Sequence, residues 1–418
     1  MMKVCLFRIL LLGCLLMRAQ PTAAAASFTP EDAVVHALQH NADLAAARFA
    51  VAEARGRLHQ AGRLPNPEME TALRHHVNGD ERAGEFGLTQ RFPLTARLRL
   101  ARRISQQELA AAEAEVTDAG RILAGSVRSC VTQSLTLTAL QELRRQQHSN
   151  SVQLASIARR TAAAGEGSEA DAMQFDLEAG QLELRLAKLD TEAQVLQSQL
   201  QLLLGVTNGM PVGISGTLAD PPSPPPRLDP PIAKRPDQTA AAARTAAARE
   251  SARLARAGKW EDVGLGLFGE IDRNEDAPNG IQTDQRVGIR LSIPLPLWNR
   301  NRGRIEEANA TASRAARESA ALDQRVRSEV IIADAAMRGA HARLRGIADT
   351  LLPKARQMEA LFEQAHTRGQ GPLTDLLRAR ERRLELESAR IEALSEYHLA
   401  VIQLQTASPY RLSSPTAP

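Results

Sequence analysis

Gly288-Ile289-Arg290-Leu291-Ser292-Ile293-Pro294-Leu295 echoes an earlier stretch of the same chain, Gly87-Leu88-Thr89-Gln90-Arg91-Phe92-Pro93-Leu94. Both are short alternating runs closed by Pro-Leu. The echo extends to either side. Gln60-Ala61-Gly62-Arg63-Leu64 returns as Arg256-Ala257-Gly258-Lys259-Trp260, and Gly165-Glu166-Gly167-Ser168-Glu169-Ala170-Asp171 returns as Gly369-Gln370-Gly371-Pro372-Leu373-Thr374-Asp375. The order is kept at a spacing of about 200 residues, so the chain reads as two copies of one helix–strand–strand–helix–helix unit.

Each copy holds two strand-like runs. In the first, Met69, Thr71, Leu73 and Val77 alternate with Glu68, Glu70, Arg74 and His76; after a polar turn, Phe86, Leu88 and Phe92 alternate with Glu85, Thr89 and Arg91. In the second, Val263, Leu265, Leu267 and Ile271 alternate with Asp262, Gly264, Gly266 and Glu270, and Val287, Ile289, Leu291 and Ile293 with Arg286, Gly288, Arg290 and Ser292. Runs of about 9–11 residues with this period suit tilted strands crossing a bilayer, apolar side to lipid and polar side to a lumen. On this reading Glu70, Arg74, Arg91, Asp262, Arg286 and Arg290 face the lumen. Phe92, Trp260 and Trp298 fall at one end of the hairpins, as one side of an interfacial aromatic girdle. Four strands are too few to close a barrel alone, which points to an oligomeric pore.

The rest reads as helix. Aromatics are 3 % of the 418 residues and the net charge is +4, with Arg scattered along the chain, so no nucleic-acid surface is indicated. Leu182, Leu186, Leu189, Ala193, Leu196, Leu200 and Leu203 step at coiled-coil spacing, as do Val330, Ala333, Met337, Ala340, Leu344, Ile347 and Leu351. Lys3 and Arg8 precede an apolar run over Ile9–Met17 and a small-residue stretch ending at Ala26, the pattern of an export signal. Cleavage is expected near Ala26; a lipid-modified Cys14 after Leu11-Leu12-Gly13 is the competing expectation. The organisation expected is a signal over 1–26, a first repeat over 27–218, a proline-rich linker over 219–233, a second repeat over 234–407 and a disordered tail over 408–418. Strands are placed at about 67–77, 84–92, 262–272 and 284–293, and helix-reversal tips at about 165–171 and 369–375.

Ser168 with Asp171 reads as a capping box, and Pro372 suits the first turn of the following helix. His36 and His40 lie one helical turn apart, a spacing able to hold a metal, but no third ligand follows. No catalytic triad, paired catalytic carboxylates, phosphate loop or zinc spacing is present, so neither enzyme, resident metal nor cofactor is expected.

Two further motifs carry a family likeness. Ala37-Leu38-Gln39-His40-Asn41, followed by Leu44, and Pro294-Leu295-Pro296-Leu297-Trp298-Asn299-Arg300-Asn301-Arg302-Gly303, together with the duplicated layout and the two glycine tips, resemble the TolC family of outer-membrane efflux proteins. The second motif is similar to the cobalt–zinc–cadmium and copper–silver branch. Ala42 stands where the family usually has proline. The resemblance implies a mainly helical homotrimer, with four strands per chain in a twelve-stranded outer-membrane barrel and a long helical barrel in the periplasm. It implies a periplasmic adaptor and an inner-membrane RND-type pump as partners, with heavy-metal cations as cargo. Asp171 and Asp375 match acidic residues at the periplasmic entrance, with Arg378 where a further acid is usual. Gly165, Glu166, Gly167, Gly369, Gln370 and Gly371 match the adaptor-docking tips. A multidrug or type I secretion duct, and a periplasmic coiled-coil scaffold without membrane strands, are the competing readings.

Overall fold

The computed structural model describes residues 27–75, 77, 81–165, 167–206, 212–221, 227–228, 234–276, 280–408 and 412–413. The expected export signal with Cys14, tip residue Glu166, most of the expected linker and most of the expected C-terminal tail lie outside the described residues. In chain order the elements are β1 (Ser27–Phe28), α1 (Pro30–His40), α2 (Ala42–Gln60), β2 (Glu68–His75), β3 (Arg82–Phe92), α3 (Arg97–Ala163), α4 (Glu169–Leu204), β4 (Gly213–Ile214), β5 (Arg227–Leu228), α5 (Pro236–Ala257), β6 (Val263–Asp276), β7 (Gly280–Ser292), α6 (Arg302–Arg345), α7 (Leu352–Thr367), α8 (Leu373–Ala407) and β8 (Leu412–Ser413). They group into two compact units, one running through His40 with Cys130–Leu218, the other holding Asn41–Ser129 with the chain from Ala219.

In the first unit β1 pairs in parallel with β4. Ala33, Val34 and Ala37 of α1 are buried, as are Leu182, Leu196, Leu200 and Leu204 of α4 and Cys130, Val131 and Leu140 of α3. Polar ties run along α3 and α4: Gln141 Nε2 donates to Asp190 at 2.7 Å, and Arg159 grips Asp176 through both ends of its guanidinium. Burial pushes the Cys130 thiol up to about 11, so it is an inert packing group.

In the second unit the four long strands form one antiparallel sheet in the order β2-β3-β6-β7. β3 and β6 come from different repeats and pair from Arg82↔Arg273 to Phe92↔Val263. The sheet therefore joins the two copies along their inner edges. It leaves β2 and β7 as outer edges, with no partner strand among the described residues. The large apolar side chains on one face are exposed, Met69 and Leu73 on β2, Phe86 and Leu88 on β3, Leu265, Leu267 and Ile271 on β6, Val287, Ile289 and Leu291 on β7, with Val263 half-buried at the helix end. No described helix is long and apolar enough to cross a membrane.

Local chemistry sets the helix ends. Asn41 Oδ1 accepts from Leu44 N at 2.9 Å and caps α2. Position 42 is thus the first helical residue, where a proline is accommodated at no loss, and Ala42 serves equally well. The Asn299-Arg300-Asn301 passage is a staple. Asn301 adopts φ 57°, its Nδ2 donates to Ala255 O at the end of α5 at 2.7 Å, and Asn299 Oδ1 accepts its N–H at 3.0 Å. Asparagine tolerates this left-handed backbone better than most residues.

The second predicted seam holds through Ala333, Met337, Ala340 and Leu344, all buried, and then slips. Residues Gly346–Leu351 form a π-turn, after which Leu351 is 47 % exposed while Leu352 is 3 % exposed. A π-turn inserts one extra residue, which moves the apolar stripe on by one position. Pro353 lies just beyond, where it removes an N–H from the helical ladder. In the first seam the last buried leucine is likewise Leu204 rather than Leu203.

Arg235, just before α5, is the strongest polar tie of this unit. It is buried, its Nη1 donates to Glu329 of α6 at 2.7 Å and to Ala407 O of α8 at 3.0 Å, and its Nε to Asp237 at 3.0 Å. Arg235 is buried while the Asp237 and Glu329 side chains are 21 % and 41 % exposed, so Arg235→Ala should lower stability by about 1–2 kcal/mol. Thermal unfolding of the detergent-solubilised protein checks this; an unchanged melting temperature contradicts it.

Candidate functional site

The polar face of the sheet carries cross-strand ion pairs at two levels. Near the helices, Arg91 reaches Glu68 at 3.0 Å and Arg97, at the start of α3, reaches Asp262 at 2.7 Å. Toward the hairpin turns the charges converge. Glu85 and Glu270 face each other directly across β3 and β6, an arrangement of like charges that is unfavourable unless countered. Three arginines counter it. Arg74 Nη2 lies 3.1 Å from Glu270 and 3.9 Å from Glu85. Arg286 lies 3.8 Å from Glu270 and 3.4 Å from Asp284. Arg290 pairs with Glu85 and reaches Glu70 at 3.5 Å.

The last contact links β7 to β2 across three inter-strand steps, about 14 Å. Of the residues between them on that face, Gly87 and Gly266 carry no side chain. The geometry brings together Glu70, Arg74, Arg286 and Arg290 of the expected lumenal set, and places Arg91 and Asp262 apart from them, at the helix end. Glu85 and Glu270, the two carboxylates at the centre, and Phe268, on the same face, were not among the expected site residues. The alternation shows the glutamates; Phe268 breaks the alternation and gives no such signal. Phe92, Trp260 and Trp298 are all exposed at the helix end of the sheet, on or just beyond the strand termini.

The two tips repeat one construction. Gly165 and Gly369 have φ of 76° and 69°, conformations that favour glycine. Gly165 N donates to Ala162 O at 3.0 Å; Gly369 N donates to His366 O at 2.9 Å and Gln370 N to Ala365 O at 2.9 Å, a Schellman closure of α7. The second glycine of each pair is set by close approach. A Cβ on Gly167 would lie 2.8 Å from Thr161 Oγ1 and 3.1 Å from Ala162 N, and one on Gly371 would lie 3.3 Å from Ala365 Cβ. Ser168 occupies the N-cap position of α4, but its side chain makes no capping bond, so the expected capping box with Asp171 is not formed. Pro372 is the N-cap residue of α8 rather than part of its first turn. Asp171 is exposed in the first turn of α4. Asp375 is in the first turn of α8, 3.9 Å from Arg378. Both aspartates suit the positive ends of their helices.

His36 and His40 stack with ring centroids 4.1 Å apart, and His40 Nδ1 faces His36 O at 3.0 Å. Burial, then the neighbouring His40, lowers the His36 pKa. No group of three or more metal-binding side chains occurs among the described residues.

The described residues thus combine a four-stranded sheet, with one bare apolar face and one ion-paired polar face, with long helices that reverse at glycine tips. The sequence profile of the family described as Outer membrane efflux protein matches residues 231–408. The cobalt-zinc-cadmium resistance protein CzcC of Cupriavidus metallidurans is 26 % identical over 348 residues, covering 81 % of this chain and 79 % of its own. Among solved structures, the CmeC outer membrane channel of Campylobacter jejuni superimposes with a TM-score of 0.75 at 14 % identity, over 90 % of this chain and 85 % of its own. The outer membrane protein VceC of Vibrio cholerae does so at 0.70 and 20 % identity, over 91 % and 96 %. Residues 231–408 thus match the outer membrane efflux family, and over most of its length the chain is similar in fold to outer membrane channels.

The two faces of the sheet make opposite labelling predictions. Single cysteines at Leu265 or Ile289 should react with a lipid-phase reagent, and those at Glu70 or Arg290 with a water-soluble one. Reversed or uniform reactivity contradicts the face assignment.

Proposed function

We propose that three copies of this chain close one twelve-stranded barrel, and that the assembly is the passive outer-membrane duct of a tripartite efflux system for heavy-metal cations. The observation that carries the trimer is the sheet itself. Its apolar face is bare and β2 and β7 end it with unpaired edges, and neither edge is tolerated in lipid until another strand covers it. Four strands per copy make twelve with three copies, within the range of strand numbers known for such barrels. Support for heavy-metal cargo comes from the likeness to CzcC over four-fifths of the chain and from the Pro294–Gly303 passage it was read from.

In this reading an inner-membrane RND-type pump supplies the energy and a periplasmic adaptor bridges to the tips. Gly165-Glu166-Gly167 and Gly369-Gln370-Gly371 form the docking surface, since glycines there expose backbone to a partner. Asp171 and Asp375, three copies of each, supply carboxylates at the periplasmic entrance, with Arg378 drawing Asp375 into a surface pair.

Cells lacking the channel should regain cobalt, zinc or cadmium tolerance with the wild-type chain, and lose it again with Gly165→Leu or Gly369→Leu. A leucine forced into the left-handed backbone strains each tip by about 1–2 kcal/mol while leaving the sheet and its assembly intact. Tolerance restored equally by wild type and tip variants contradicts the docking role. Restored tolerance to drugs but not to metals contradicts the cargo.

A further inference from the structure

The two passages from strand to long helix share a charge pattern. From Phe86 to Gln107 the chain holds Arg91, Arg97, Arg99, Arg102 and Arg103 and no carboxylate; from Gln285 to Ile305 it holds Arg286, Arg290, Arg300, Arg302 and Arg304 and again none. The leading arginines of each run answer carboxylates already described. Arg91 pairs with Glu68, Arg97 with Asp262, Arg286 with Glu270 and Arg290 with Glu85. The other six differ. Arg99, Arg102 and Arg103 in the first turns of α3, and Arg300, Arg302 and Arg304 around the start of α6, are all exposed, and none of them forms an ion pair among the described residues.

Their setting sharpens the positive potential. Helices α1, α2, α4, α5 and α8 each open with an acidic residue in the first turn, whereas α3 and α6 have none there and carry arginines instead. A helix start is itself positive, so cations and helix ends add. The exposed carboxylates of the same level are Glu261, Glu306 and Glu307; they are outnumbered by the six arginines and the exposed Lys259. Between these cations and the sheet lies apolar surface. Leu94, Leu295, Leu297 and Trp298 are 59 %, 65 %, 60 % and 93 % exposed, on the short segments that continue β3 and β7. Lys259, Arg304, Leu295 and Trp298 line one cavity of about 1160 Å³, to which Glu261 and Glu307 also contribute. A bare apolar band ending in tryptophan, with unpaired guanidinium groups just beyond it, matches the acyl region and phosphate level of a lipid leaflet.

We propose that these two arginine-rich passages bind the phosphate groups of anionic phospholipids in the leaflet at the helix end of the sheet. This rests on the reading above, in which the apolar face meets lipid. Guanidinium groups bind phosphate through paired N–H donors, and the adjoining leucines and Trp298 take the upper acyl chains. An acidic protein surface would match the charge but leave the neighbouring apolar band unexplained.

The test uses the purified full-length channel in phosphatidylcholine bilayers, with the lipid at its surface read from spin-labelled phosphatidylglycerol and spin-labelled phosphatidylcholine. Phosphatidylglycerol should be preferred about three-fold at ~0.05 M salt, and the preference should nearly vanish at ~1 M, where screening is short-ranged. The triple variants Arg99→Gln/Arg102→Gln/Arg103→Gln and Arg300→Gln/Arg302→Gln/Arg304→Gln should each lower the preference, and the two combined should bring it close to one. Changing the same six to lysine keeps the charge and should keep most of the preference. The salt series on the wild-type channel needs no variant, so a glutamine variant that fails to assemble leaves the test intact. A preference that is absent, unmoved by salt, or retained in full by the assembled six-fold glutamine variant overturns the proposal. Loss of metal tolerance in the glutamine variants with unchanged lipid preference assigns the arginines to a protein partner and overturns it as well. Entry into the bilayer without lipid preference overturns this proposal alone, whereas failure of the wild-type chain to enter overturns the pore reading beneath it.

Discussion

A peptide group facing hydrocarbon has no water to bond, and leaving it unpaired costs several kcal/mol. The sheet of this protein meets that constraint on its inner strands. β3 pairs with β2 on one side and β6 on the other, and β6 pairs with β7. At the two outer strands it is not met among the described residues, and those strands also carry bare apolar side chains such as Leu73 and Val287. The duplication explains why. Each repeat brings one hairpin, and the two hairpins join at β3 and β6, so one chain yields a wall segment with two open edges. In the proposed assembly closure comes from further copies.

The same sheet face that must be polar for a lumen is also the face that holds the segment together. Glu85 and Glu270 repel across the β3–β6 junction, and arginines from β2 and β7 reach inward to neutralise them. These are largely exposed pairs, each of little energetic weight alone; as a network spanning both outer strands they fix which side chains line the wall. Gly87 and Gly266 carry no side chain between Glu70 and Arg290, and the Phe268 ring lies over Gly288. At the helix tips glycine acts in two other ways, by positive φ at Gly165 and Gly369 and by contact distance at Gly167 and Gly371.

Much of this was legible in the residues. The duplicated layout and the alternation of Leu265, Leu267 and Ile271 against Gly264, Gly266 and Glu270 carry the four-strand, mainly helical fold, because side-chain period follows directly from strand geometry. What escaped was set by tertiary context. The register slip from Leu351 to Leu352 depends on a π-turn that a regular heptad count cannot anticipate. Ser168 has a capping sequence, yet its hydroxyl makes no capping bond and leaves the turn to the glycines before it. Arg235 gave no sequence signal, since its partners Glu329 and Ala407 lie far along the chain. Phe268 looked like an irregularity in an alternating strand, and only the register with Gly288 shows its seat.

The central claim is that open sheet edges force self-assembly, and the mass of the detergent-solubilised protein tests it most directly. Native mass spectrometry, with the bound detergent stripped, should give three chains per particle, reverting to single chains on heating. A stable, folded single chain that keeps its strands in detergent would contradict the account.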